Sequence, residues 1–452
     1  MFKKLLIANR GEIANRIIKS SKKLGIKPVC IYSETDKDMN YLLHAHESVC
    51  IGESSLKESY LNEEKILSIA EKYDCDAIHP GYGFFSENYM FSMKCKQQKI
   101  TFIGPDSRFL KIMGNKLIAR NTMKQLGIPV IPGSFSSNSS DKDTFNIANE
   151  IGYPILIKAV AGGGGKGIKL INNLDELKRN LSLCRFEAKN LFGNDEIYIE
   201  KFISNARHIE IQIAGDTYGN VIHFHERDCS IQRNNQKVLE EACAPNTNKS
   251  KLDNLKRDIT ESMKLIGYDS LGTLEFLLDS NGNYYFIEAN TRVQVEHPVT
   301  EMLTQTDLID LQIRVALGDY INIRQSEIKC EGHVIECRIN AEDPKRNFMP
   351  STGKITELHL PEESKNIRID TYINNGTEIT PYYDSMIAKI IVHSEIREKT
   401  IRIMKKTLNK INIEGIFTSI NMHKYILENK QFLDGKYTCQ FLKDNMKSLI
   451  KF

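Results

Sequence analysis

Two rhythms of apolar residues run along this chain. Lys4–Ala8, Val29–Tyr32 and Ala77–His79 are short runs suited to buried strands. Glu12–Leu24, with Ile13, Ile17 and Leu24 on one face, and Ile66–Lys72 have the longer helical spacing. Strands alternating with helices predict an α/β fold that opens with a doubly wound parallel sheet. Leu110–Leu126 is predicted as one helix with Lys116 near its beginning, and Gly127–Gly133 with the polar Ser136–Ser140 marks a domain seam. Strands follow at Ile155–Lys158, Ile168–Ile171 and Ile197–Phe202, and Arg207–Ile213 alternates charged and apolar residues. A helix runs from Asp307 to about Leu317, where Gly318 stops it. Gly332–Arg338 and Lys354–Leu360 make the last third β-rich, with helices at Ile396–Leu408 and Ser419–Leu427.

The most informative pattern is Thr273–Pro298. Apolar runs Leu274–Leu278 and Tyr284–Ile287 flank Ser280-Asn281-Gly282-Asn283, and Asn-Gly is a strong hairpin signal because both residues tolerate positive φ. A two-residue loop at Asn281-Gly282 pairs Glu275 with Glu288 across the hairpin, unless a bulge turns one of them to the other face. Two opposed carboxylates on core strands repel and resist desolvation, and a divalent cation removes both problems. Asn290, two residues beyond Glu288, shares its face. Two Glu and an amide oxygen are hard ligands for magnesium or manganese beside a phosphate. Arg292, Gln294 and Glu296 then alternate with Val293 and Val295, so a strand through them projects all three to one side. An Arg fork holds a small oxyanion and a Glu can take its proton.

Other loops narrow the chemistry. Ala8-Asn9-Arg10-Gly11 lacks the G-x-G-x-x-G of dinucleotide sites. Ala161-Gly-Gly-Gly-Gly-Lys-Gly167 fails the P-loop pattern, since position 160 is Val and Gly167 follows Lys166. Its free backbone amides, set between two strands, suit a phosphate-covering lid. His79-Pro80-Gly81-Tyr82-Gly83 reads equally as a tight turn or as the wall of a ligand crevice. His208 by itself reads as an ordinary structural histidine. The formal charge of +3, from 61 basic and 58 acidic residues, argues against nucleic-acid or membrane partners. The 10 cysteines contain no C-x-x-C pair, which speaks against zinc and redox motifs and for a reduced, cytoplasmic setting.

From end to end the chain resembles biotin carboxylase, an ATP-grasp enzyme. The resemblance rests on A-N-R-G-E-I-A (8–14), I-H-P-G-Y-G-F-F-S-E-N (78–88), F-I-G-P (102–105), M-G-N-K (113–116) and K-A-V-A-G-G-G-G-K-G (158–167). It continues through Y-I-E-K-F (198–202), R-H-I-E-I-Q (207–212), E-R-D-C-S-I-Q-R (226–233), N-T-R-V-Q-V-E-H-P-V-T-E (290–301), E-C-R-I-N-A-E-D-P (336–344) and P-Y-Y-D-S-M-I-A-K (381–389). It implies an α/β domain at 1–113, an ATP-grasp domain at 114–330 with a mobile lid at about 131–203, and a C-terminal domain at 331–452. It places ATP against Lys116, Lys158, Gly164, Gly165, Glu200, Lys201, Phe202, Ile203, His208, Gln232, Asn235, Glu275 and Glu288. Glu275, Glu288 and Asn290 would hold two magnesium (or manganese) ions. Lys237, Arg292, Gln294 and Val295 would hold bicarbonate, Tyr82 and Arg338 would meet biotin, and Arg292, Glu296, Lys237 and Arg338 would carry the chemistry. Implied partners are a separate biotin carboxyl carrier protein, a carboxyltransferase and a second copy of the chain. The commonest setting is acetyl-CoA carboxylase in fatty acid synthesis; the alternative is a pyruvate or other acyl-CoA carboxylase. The chain departs from the family pattern at Asn115, Asn235, Cys243 (usually Pro) and Ala289, none of them assigned to the reacting groups.

Overall fold

The computed structural model describes residues 2–134, 140–160 and 167–449. The N-terminal alternation folds as read: β1 (Lys4–Ile7), α1 (Gly11–Lys23), β2 (Lys27–Ser33), β3 (Glu47–Gly52), α2 (Glu63–Lys72), β4 (Ala77–His79), α3 (Tyr89–Gln97) and β5 (Thr101–Phe102). Its five strands are parallel in the order β3-β2-β1-β4-β5. Asn9 and Arg10 follow the C-terminal end of β1 and face the cleft described below.

The helix expected over 110–126 is two helices, α4 (Ser107–Met113) and α5 (Lys116–Gln125). Asn115 separates them. Its side-chain oxygen accepts from the amides of Leu117 and Ile118, capping a new helix and setting Lys116 in its first turn.

Next, α6 (Asp141–Ile151), β6 (Ile155–Ala159), β7 (Ile168–Ile171), α7 (Leu174–Phe192) and β8 (Ile197–Lys201) form a small unit with the sheet order β7-β6-β8. It has its own core, including Ile155, Ile157, Ile171, Leu177, Leu181 and Ile199. The glycine run expected to cover phosphate falls at 161–166, outside the described residues.

The main sheet is built from β9 (Arg207–Gly215), β10 (Val221–Arg233), β11 (Gln236–Ala242), β12 (Leu271–Leu278), β13 (Tyr284–Asn290), β14 (His333–Asn340), β15 (Ile367–Thr371) and β16 (Met386–Ser394). Its order is β13-β12-β9-β10-β11-β14-β16-β15. It therefore runs across residue 330 without a break, through the β11–β14 ladder. Helix α8 (Lys249–Ile266) covers one end, α9 (His297–Thr304) and α10 (Leu308–Ala316) follow β13, and α11 (Arg397–Asn409) follows β16. One large core joins Leu5, Ile7 and Ile17 of the N-terminal unit to Ile335 and Ile339 of β14, Ile390 of β16 and Met404 of α11. Each fully buried aliphatic there contributes about 1.5–3 kcal/mol, so the parallel sheet is anchored firmly against the C-terminal region. No described helix is long and apolar enough to cross a membrane.

Candidate active site

The site grows from a row of charged residues across four neighbouring strands. Arg227 of β10 pairs with Glu210 of β9, Glu210 with Glu275 of β12, and Glu275 with Glu288 of β13. The expected Glu275–Glu288 pairing is present, but by a different route. Leu278 pairs with Tyr284, so the turn is the five-residue loop 279–283, in which the Asp279 carboxylate accepts from the Asn281 and Asn283 amides. That shifts the register by one residue, and a bulge between the Phe276–Phe286 and Glu275–Glu288 pairs shifts it back.

Three carboxylates on one face need a cation, and the chain supplies two. Arg227, fully buried, donates to Glu210, to Gln212 and Thr300 at 2.9 Å, to Thr273 at 3.1 Å and to Gln294 at 2.5 Å. Lys237 reaches over from β11, its ammonium 2.5 Å from Glu210, 2.8 Å from Glu275 and 2.6 Å from Glu296. Burial opposes the charge on Lys237, yet these carboxylates hold its pKa well above the ordinary ammonium value. In return, and against the same burial, Lys237 leads the groups that hold Glu275 and Glu296 well below the usual carboxylate range.

Glu288 is different. Its nearest cation is Lys116, 3.9 Å away. Burial and then the facing Glu275 push its pKa up. This under-compensated acid, opposite Glu275, is where the donor set fits a divalent cation. Asn290 lies between Glu275 and Arg292, donating to the first and accepting from the second, each at 2.8 Å.

Arg292, Gln294 and Glu296 were expected on a strand; β13 instead ends at Asn290. The segment turns back so that the His297 amide reaches the Gln294 carbonyl, and Pro298 enters the first turn of α9. The three side chains still converge. Arg292 donates to Glu87 at 3.0 Å, Gln294 to Glu275 at 2.9 Å, and Glu296 lies between Lys237 and Arg338, 2.9 Å from the latter. Arg338 also donates to Glu240 at 2.6 Å; burial raises Glu240 to about 7, against the pull of that guanidinium.

Lys237, Glu275, Glu288, Asn290, Arg292, Gln294, Glu296 and Arg338 line one cavity of about 900 Å³ between the main sheet, the small β6–β8 unit and the N-terminal sheet. Every site residue expected from the sequence lines it, Lys116, Lys158, Phe202, Ile203, Gln232, Asn235 and Val295 included, except Gly164 and Gly165, which lie outside the described residues. Lys158 pairs with Glu200, which also meets Arg120. Lys201 gives its ammonium to the Gly152 and Tyr153 carbonyls at 3.0 Å, so it meets the cavity through its backbone and stem. His208 is bridged to Gln232 at 2.9 Å and Glu275 at 3.1 Å; its pKa rises despite burial because Glu275 faces it. Tyr82 donates to Glu12, Glu12 pairs with buried Lys389 at 3.0 Å, and Lys389 donates to the Val295 carbonyl at 2.9 Å.

Sequence reasoning missed Glu210, Arg227, Glu87, Glu240 and Lys389. For Glu210 a signal was there: His208, Glu210 and Gln212 alternate along β9 and so share a face. The others reach the site through long-range pairing, which no local pattern reveals.

An acidic sheet face under a separate small sheet, with lysines entering from both, suits a divalent cation and a phosphate-bearing substrate held together. Residues 115–324 match the family model "Carbamoyl-phosphate synthase L chain, ATP binding domain". Residues 1–110 match "Biotin carboxylase, N-terminal domain" and 336–444 match "Biotin carboxylase C-terminal domain". Biotin carboxylase 1 of Bacillus subtilis is 48% identical over 444 residues, covering 98% of each chain. The chain belongs to the biotin carboxylase family, and it is an enzyme of that ATP-dependent class. Among solved structures, the biotin carboxylase domain dimer of Hydrogenobacter thermophilus 2-oxoglutarate carboxylase, in complex with MgADP, ADP and bicarbonate, superposes with a TM-score of 0.96. It is 45% identical, covering 100% of this chain and 99% of that one. The biotin carboxylase subunit of a pyruvate carboxylase gives 0.87 at 44% identity, with full coverage of both chains.

Proposed function

We propose that this enzyme uses ATP and bicarbonate to carboxylate biotin held on a separate carrier protein, as the first half-reaction of acetyl-CoA carboxylase. The observation that carries the reaction is the position of Glu296, fixed between Lys237 and Arg338 in the cavity that also contains Glu288. Glu275 and Glu288, with Asn290, would hold magnesium, which supplies charge neutralisation for the transferring phosphoryl group. Lys116 and Lys158 add positive charge at the nucleotide, and His208, Gln232, Lys201, Phe202 and Ile203 line its place.

Bicarbonate is assigned to Arg292, Lys237, Gln294 and the Val295 backbone. An anion there draws Lys237 and Arg338 away from Glu296, which raises the basicity of that carboxylate when a proton must be taken. The deprotonated bicarbonate attacks the γ-phosphorus, giving carboxyphosphate and ADP. Carboxyphosphate breaks down to carbon dioxide and phosphate, and the phosphate takes the ureido proton of biotin. Arg338 steadies the resulting enolate as it captures carbon dioxide. The lid about 131–203, the α/β domain at 1–113 and the C-terminal region from 331 are part of the same reading, as is a homodimer.

The test is ADP release with magnesium, ATP and bicarbonate, with and without free biotin. A bicarbonate-dependent rate stimulated by biotin is expected; ATP cleavage indifferent to biotin overturns the reading. The acyl acceptor is a second question, because biotin carboxylase relatives from 2-oxoglutarate and pyruvate carboxylases both match over the full chain. Transfer from the carboxylated carrier to acetyl-CoA, pyruvate or another acyl-CoA by the co-purified carboxyltransferase decides it.

A further inference from the structure

The strands that bring Lys237 and Arg338 together also bring together two cysteines. Cys243 follows the last residue of β11 and Cys330 lies three residues before β14. Their sulfurs are 2.8 Å apart, although 87 positions separate them in sequence. Among the described residues no other two cysteine sulfurs are in hydrogen-bond contact, and all ten thiols are free. Cys330 is exposed and Cys243 half-buried, so a small reagent can reach the pair. Lys256 and Glu226, an ion pair at 2.6 Å, both face the two thiols, and the carboxylate has the larger effect on each.

We infer that Cys243 and Cys330 are a reversible thiol–disulfide site that exchanges with low-molecular-weight disulfides. The two thiols are unequal. The hydrogen bond from Cys243 holds the Cys330 thiol below its ordinary pKa, against burial, while the same contact and burial push Cys243 up. Cys330 is therefore the attacking thiolate. It attacks one sulfur of RS–SR, forming a mixed disulfide and expelling RS⁻. The Cys243 sulfur then attacks the Cys330 sulfur and expels the second RS⁻, which takes up the Cys243 proton. The dithiol is oxidised to one disulfide, and RS–SR is reduced to two RSH.

The bond would form just beyond the Ala242–Val334 pair that ends the β11–β14 ladder, between sulfurs already 2.8 Å apart. Turnover of the oxidised enzyme is expected within two-fold of the reduced one. The thermal midpoint should rise by about 3–5 °C, the scale for closing a loop of this length in a chain of this size.

The experiment treats the full-length protein with oxidised glutathione, alkylates the remaining thiols and maps peptides without reduction. A Cys243–Cys330 cross-linked peptide that dithiothreitol removes is expected. Cys243→Ala should stop at glutathione on Cys330 and lose the midpoint rise, while Cys50→Ser, which removes another exposed thiol, keeps both. Glutathione that stays on Cys330 of the wild-type protein, or modification of Cys50 with the pair untouched, overturns the assignment. So does a midpoint rise that persists in Cys243→Ala.

Discussion

Glu336 gives the sharpest test of how this fold tolerates buried charge. It lies fully buried on β14, directly opposite Glu240 of β11, and neither of its carboxylate oxygens has a hydrogen-bond partner. Burial, reinforced by Glu240 and only partly opposed by Lys389 and Arg338, raises its pKa well above the ordinary value of 4.5. The unfolded chain therefore releases this proton above pH 4.5 while the folded chain keeps it. Stability falls as pH rises until the folded pKa is passed, by about 1.4 kcal/mol per pH unit for one retained proton. Glu336→Gln keeps the shape and has no proton to lose. Between pH 6 and pH 8 the wild-type protein should thus lose more stability than the variant, up to about 2.7 kcal/mol for a proton retained throughout. With an unfolding entropy of about 0.9 kcal/mol/K for a chain of this length, that is a relative shift of up to about 3 °C. Scanning calorimetry on both proteins at pH 6, 7 and 8 measures it, with the variant melting higher at pH 8. Parallel pH profiles, or a variant less stable at every pH, would refute a neutral Glu336.

Other outcomes test the site and its supports. Glu296→Gln should lower biotin-dependent ATP cleavage by about 10²–10⁴-fold while the protein stays folded; unchanged turnover removes its role as base. Glu288→Gln should raise the magnesium concentration needed for half-maximal rate, read by titration in the same assay, and an unshifted titration assigns the metal elsewhere. Lys389→Met leaves Glu12 and Asp370 without their buried ammonium, for a loss of about 3–5 kcal/mol, and it unbraces Val295 and Tyr82. Steady-state kinetics should then show KM for biotin rising more than kcat falls. His423, buried and held neutral with a pKa lowered to about 4, accepts protons only in the unfolded chain between pH 6.5 and 4, so it costs stability as pH falls. His423→Gln should spare about 2 kcal/mol of the loss between pH 7 and pH 5, seen as about 2 °C in melting.

Local periodicity made the strands and helices legible, and the family resemblance made most of the site legible, but for reasons that differ from residue to residue. The parallel sheet could be read because each strand and helix carries its own apolar rhythm. The Glu275–Glu288 pairing was reached through a turn that is one residue off, rescued by a compensating bulge. That reading succeeded because the two one-residue offsets, at the turn and at the bulge, cancel before the acids are reached. The break at Asn115 was hidden because capping acts through a single side chain, while apolar spacing continues across it. Lys237 shows the deeper limit. Its partners lie 27, 38 and 59 residues away in sequence; the strand order β12-β9-β10-β11 sets its ammonium against Glu210 and Glu275, and the turn before α9 adds Glu296. The cysteines make the same point in reverse. A scan for C-x-x-C looks for thiols made neighbours by a turn, whereas Cys243 and Cys330 meet just beyond the end of the β11–β14 ladder. The sheet, rather than any local segment, decides which polar residues meet, so strand order is the information that a reading of local pattern lacks.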